Sequence, residues 1–184
     1  MDAETLERPL PKPTMEDYIN ARLLESLIEA KLSTEFLSKG LIRDASGKAF
    51  QAWRALLAAL LRLELSNLLK VAKTEEKRNW LVNRAVPRVP TTRMKALSQI
   101  LEEIGYVGGI YFATSTALEL HDYQHNGPDP DMAMSKYRNR QEAAVAVINL
   151  IKELMRRIEE LKPRIKWSDD LESAFKALKE SRCW

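Results

Sequence analysis

A single cysteine, Cys183, rules out an internal disulfide, and at the penultimate position it has little scaffold for redox or catalytic work, so we read it as an incidental thiol. Charge of one sign is also lacking. The 29 basic and 26 acidic side chains leave a formal net charge of +3, too little for the global field that draws nucleic acid, although a local basic patch stays open. No long hydrophobic run is uninterrupted: the richest tract, Ala49 to Leu69, carries Gln51, Arg54, Arg62 and Glu64, which argues for a buried helix and against membrane insertion. The opening residues are acidic and hold no apolar stretch of signal-peptide length, so a reducing cytoplasm is the expected compartment. Period-two alternation is absent, and so are internal repeats and low-complexity segments, which removes strand pairs and solenoids.

What is present is helical periodicity in a chain of 184 residues, 45% apolar, enough for one full core. Pro9, Pro11 and Pro13 make residues 1–13 an N-terminal arm. Residues 14–163 are expected to form the bundle and residues 164–184 a helical extension of the same domain. Thr14 is a candidate N-cap, Leu24, Ile28, Leu32 and Phe36 recur every four residues, and Gly40 ends this first helix. A second helix, capped by Asp44 or Ser46 and running to about Ala72, would be about 40 Å long at 1.5 Å per residue. It is apolar nearly all round, which favours a homodimer formed through it.

Further along, Thr74 opens a short helix closed by Pro87, and a helix from Thr91 or Thr92 is interrupted by Gly105, Gly108 and Gly109. A fresh helix is expected from about Tyr106 to His121, ending before Gly127. Asp129-Pro130 then reads as the start of the next, with Ala144, Ile148, Ile151, Met155 and Ile158 on its buried face and Pro163 at its end. Ser168 caps a last helix whose end carries Lys176, Lys179 and Arg182. The fold class is therefore all-α, a bundle with two long helices, several shorter ones and a C-terminal helical extension.

Two motifs bear on function. In "GLIRDASGKAF" the glycines and Lys48 echo a phosphate loop, but six residues separate Gly40 from Gly47, alanine follows the lysine and a helix precedes, so Lys48 reads as a first-turn surface charge. In "HDYQHNGPDPD", His121 and His125 stand one helical turn apart, which suits a helix C-terminus, a polar binding site, or a metal pair completed by a nearby aspartate. Asp129, as an N-cap, would be unavailable to a metal. Lys136, Arg138 and Arg140 form a basic cluster in the early part of the following helix that could meet an anion or an RNA backbone. The tryptophans are scattered. Trp53 and Trp80 suit helix packing, Trp167 a connector, and Trp184 the end, so no stacking platform is visible.

The run "RLLESLIEAKLSTEFLSKGLIRDASGKAFQAWRALLAALL" from Arg22, with the later "LHDYQHNG", resembles the archaeal PaREP family, grouped within the HEPN superfamily, over approximately residues 20–160. The resemblance implies a helical bundle that pairs into a homodimer with a cleft near its axis. HEPN ribonucleases carry an Arg-x4-6-His signature whose histidine falls on His121 or His125. Its arginine has no counterpart here, since residues 114–121 hold no other basic side chain. The leading expectation is binding, to a protein or RNA, by His121, Tyr123, His125, Arg138 and Arg140, with no cofactor and no metal. The alternative is a ribonuclease or nucleotide-processing enzyme using His121 or His125 as acid or base with Arg138, because histidine's ordinary pKa of about 6.5 keeps both protonation forms available.

Overall fold

The computed structural model describes residues 4–13, 17–106 and 108–181. Its helices are α1 (Glu4–Glu7), α2 (Asp17–Ser38), α3 (Ile42–Leu63), α4 (Leu65–Val71), α5 (Glu75–Trp80), α6 (Val86–Arg88), α7 (Met94–Glu103), α8 (Ile110–Asn126), α9 (Arg140–Leu161) and α10 (Asp169–Glu180). A π-helical turn, Leu81–Ala85, joins α5 to α6, and 3-10 turns precede α7 and follow α9. No strand occurs among the described residues, and none of their helices is long and apolar enough to cross a membrane. Thr14, Arg182, Cys183 and Trp184 lie outside the described residues.

Two glycines end helices as their backbone freedom allows. After α2, Gly40 adopts φ +71°, and the Leu41 and Gly40 amides donate to the carbonyls of Phe36 (2.9 Å) and Leu37 (3.0 Å), the paired reverse bonds of a Schellman exit. Gly105, at φ +113°, repeats the geometry after α7, with Tyr106 donating to Leu101 and Gly105 to Glu102. The expected glycine break is there, but α8 starts at Ile110 rather than near Tyr106, because Gly108 and Gly109 are themselves left-handed. The short helix at Thr74 is capped as expected, Thr74 Oγ1 accepting from the Lys77 amide, yet it runs past Pro87 to Arg88. There Tyr18 and Arg22 of α2 donate to the carbonyls of Val86 and Pro87 at 2.9 Å each, fixing the irregular turn against the bundle.

Helix α3 is central, packed by α2, α8 and α9. Trp53, Leu56, Leu57 and Leu61 are wholly buried within this one chain. The expectation of a dimer through this helix therefore loses its ground, since its apolar surface is covered internally. Trp53 also anchors a buried polar chain. Its Nε1 donates to Thr114 Oγ1 (2.9 Å), which lies 2.6 Å from Ser98 Oγ, and Ser98 donates to the Met94 carbonyl (2.9 Å), linking α3, α8 and α7.

The single long second helix is also corrected at both ends. It begins at Ile42, with Leu41 as an N-cap that makes no side-chain bond, while Ser46 Oγ donates back to the Ile42 carbonyl. It breaks at Glu64, where the buried carboxylate draws Tyr106 Oη (2.9 Å), Asn67 Nδ2 (2.7 Å) and Arg164 around it. Lys48 is not a free surface charge but pairs with the buried Glu29 of α2 at 2.9 Å.

Asp129-Pro130 does not start α9. Asp129 instead folds the loop over itself, its carboxylate accepting from the amides of Asp131 (3.2 Å), Met134 (2.6 Å) and Ser135 (3.2 Å), which hold its pKa below the usual carboxylate range. The true cap is Asn139, whose Oδ1 accepts from the Glu142 amide (2.9 Å) while the Glu142 carboxylate accepts from Asn139 Nδ2 and the Arg138 amide. Asn139→Ala is expected to lower stability by about 0.5–2 kcal/mol in chemical denaturation, as loss of an N-cap does. Asp129→Ala should instead speed amide exchange at Met134 and Ser135 and leave α9 protected; protection lost along α9 would contradict this division. Pro163 and Ser168 act as expected, α9 ending at Leu161 and Ser168 Oγ accepting from the Leu171 amide. Helix α10 packs against α2.

Candidate functional site

Along α3, Arg43, Gly47, Phe50 and Arg54 are spaced by four, three and four, so they share one face. That face meets the C-terminal half of α8. At Gly47 the end of the Gln124 side chain lies over α3, 2.5 Å from where a Cβ would stand, so a larger residue there would displace that glutamine. One turn on, the Phe50 ring stacks on His121 at 4.2 Å between centroids and 20° between planes. His125 meets His121 edge-on at 5.0 Å.

Guanidinium groups bracket this aromatic centre. Arg43 donates through Nε and Nη2 to the carbonyls of Gln124 (2.9 Å) and His125 (2.6 Å), placing positive charge on the exposed carbonyls where α8 ends. Arg54 donates to the Arg88 carbonyl (3.1 Å). Burial, and then the neighbouring Arg22, hold its pKa below the ordinary arginine value. The His121 pKa is lowered first by burial and then by His125, with Arg54 adding to the effect and Asp122 and Gln124 opposing it. Its Nδ1 is buried without a hydrogen-bond partner. His121 is therefore biased toward the neutral imidazole, and His125 is the exposed member of the pair.

The other residues expected at this site lie elsewhere. Tyr123 is fully buried and points away from the histidine face, its ring edge-on to Tyr137 at 5.8 Å. Lys136 and Arg138 sit in the loop before α9 rather than in the helix, and Arg138 Nε reaches Met132 Sδ (3.2 Å). Arg140 opens α9 and donates to the Gly40 carbonyl (2.5 Å). Neither arginine hydrogen-bonds an imidazole, so the expected cluster of His121, His125, Arg138 and Arg140 is not assembled. The groups the structure brings to the histidines are Arg43, Phe50 and Arg54; their helical spacing put them on one face of α3, but nothing in the sequence said that this face meets α8.

A larger cavity, about 500 Å³, lies around Glu64, Asn67, Tyr106, Arg157 and Arg164. Burial alone would raise the Glu64 carboxyl, but hydrogen bonds from Arg164, Asn67 and Tyr106 outweigh it and hold it low. Burial and then Glu64 push the Tyr106 hydroxyl up to about 12. These groups satisfy one another, and the network serves to fasten the α3–α4 break to the turn after α9. Among the described residues no three His, Cys, Asp or Glu side chains converge on a common point as metal ligands would.

The chain belongs to the archaeal PaREP1/PaREP8 family, whose model matches residues 21–148. The match takes in α2 through the first part of α9, and so every residue of the histidine face. No curated protein matches the chain, and no solved structure does.

Proposed function

Proceeding from membership of the PaREP1/PaREP8 family, we propose that this protein binds single-stranded RNA through the α3–α8 face and does not cut it. The observation that carries the reading is the pair formed by His121 and the exposed His125, backed from the core by the buried Phe50 ring and bracketed by Arg43 and Arg54. Unpaired bases stack on aromatic, imidazole and guanidinium planes, and arginine neutralises the phosphates between them. One feature speaks against cleavage: among the described residues no guanidinium hydrogen-bonds either imidazole to form the arginine–histidine pair of HEPN ribonucleases. A HEPN-type relation, a cytoplasmic setting and homodimerisation belong to the same proposal; with α3 enclosed, pairing would use other surfaces, such as exposed Phe112 and Val145.

Fluorescence anisotropy with a short labelled single-stranded RNA tests it. Binding is expected to weaken linearly in log–log plots against salt, with a slope of about −0.7 per phosphate neutralised. Arg54→Ala should weaken binding and reduce that slope by about one phosphate's worth. His125→Ala should weaken binding with the slope unchanged. An RNA that fails to bind at low salt, or one that is shortened in a His121-dependent way, would sink the proposal, the second outcome in favour of the enzyme. Binding of a protein but no RNA would favour the other partner class.

A further inference from the structure

A second pocket, about 240 Å³, lies between the α2–α3 turn and the loop that follows α8, lined by Gly40, Arg43, Asp44, Tyr123, Pro128 and Arg140 among others. We propose that it binds a phosphate group, either inorganic phosphate or the phosphate of a small phosphomonoester. The volume decides the size class. At about 30 Å³ per water it holds a phosphate with a few waters, and it falls below the range of about 300–1,000 Å³ usual for whole small-molecule ligands.

Three independent features point to an anion. The pocket opens on the N-terminus of α3, a helix of 22 residues whose cap residue, Leu41, offers no side-chain acceptor, so the amides of Ile42, Arg43 and Asp44 have no bonded partner. Such amides, with the helix dipole behind them, favour a bound anion. Tyr123 is 0% exposed and its hydroxyl has no hydrogen-bond partner, an unsatisfied donor of the kind interiors seldom leave. Tyr123 lines the same cavity as Arg140 and Arg43, the two charges that act most on its hydroxyl. Each of these arginines uses some of its donors on backbone carbonyls and keeps Nη1 uncommitted. Anchored in this way, both guanidinium groups are positioned before any ligand arrives, which lowers the entropic cost of binding.

Asp44 is the opposing charge in the pocket. One carboxylate against two guanidinium groups and a helix N-terminus leaves the site positive, and it sets a diagnostic sign. Removing Asp44's charge should tighten phosphate binding, whereas a merely structural pocket would not respond.

The test is isothermal titration calorimetry of the full chain with inorganic phosphate and with glycerol 2-phosphate, against chloride at matched ionic strength. Saturable binding of at least one phosphate probe and none of chloride is expected. Tyr123→Phe, which keeps the buried ring, and Arg140→Gln should each weaken it by about tenfold, the effect of losing one charge-assisted hydrogen bond. Asp44→Asn should strengthen it. Circular dichroism establishes that each variant is folded before titration. Binding of both probes assigns a phosphomonoester site, and binding of inorganic phosphate alone a free-phosphate site. Absence of saturable binding at millimolar concentrations overturns the proposal, as do folded Tyr123→Phe and Arg140→Gln variants that titrate like the parent. The pocket shares Arg43 with the histidine face but includes neither histidine nor Arg54, so a chain that takes phosphate but no RNA would sink the RNA proposal alone.

Discussion

Trp53→Ala is expected to cost about 3–5 kcal/mol of unfolding free energy, among the largest losses any single truncation in this chain would produce. Two effects combine. The side chain is wholly buried at the centre of α3, so its removal leaves a cavity that helices packed on three sides cannot collapse into. It also leaves Thr114 Oγ1 without its indole donor, in a buried chain that runs on to Ser98 and the Met94 carbonyl. Trp53→Phe separates the contributions. Most of the volume is kept, and the residual loss, about 0.5–1.5 kcal/mol, reports the lost indole–hydroxyl bond, Thr114 keeping its bond to Ser98. Urea unfolding followed by circular dichroism measures both. A Trp53→Ala chain within 1 kcal/mol of the parent would mean that α3 is not the enclosed centre of the bundle.

Leu57→Ala carries the second large effect, about 2–5 kcal/mol. Its interest lies in how the loss depends on concentration. Leu57 is buried by this chain's own helices, so the midpoint of unfolding should fall equally at every protein concentration, and light scattering should show the same mass for variant and parent. Were α3 instead the seam between two copies, the variant would separate into folded monomers, and its stability would depend on concentration.

Signals that act through the backbone were legible in the sequence. Gly40 and Gly105 end helices because reverse turns of the Schellman type need a left-handed residue, Pro163 stops α9, and Ser168 caps α10, all within a few residues of the side chain responsible. Misreadings arose where a side chain had competing partners or where a distant one decided. Asp129-Pro130 and Asn139 both look like helix starts. The loop's own amides claimed Asp129, although the reciprocal Asn139–Glu142 spacing was open to reading as a capping box. Glu64 was visible as an acidic residue inside an apolar tract, but its partners Tyr106 and Arg164 are far along the chain, so the helix break it organises was not. The apolar girth of α3 was read correctly as burial, and this chain's own helices supply the cover for which a second subunit was invoked, because periodicity reports that a face is covered and not by what. At the candidate site the two histidines were evident. Their neighbours were not, since Arg43, Phe50 and Arg54 reach them across a helix interface that only the packing of α3 on α8 creates.

The central claim, that this face takes RNA without cutting it, meets its most direct test in the histidines, because the chain has only two. Proton–carbon spectra of imidazole-labelled protein can be followed during titration with a short single-stranded RNA, and the RNA recovered afterwards. The His121 and His125 signals are expected to move together along the saturation curve found by anisotropy, and the RNA to be recovered intact. RNA that binds while both signals stay fixed, or that is recovered shortened, would contradict the claim.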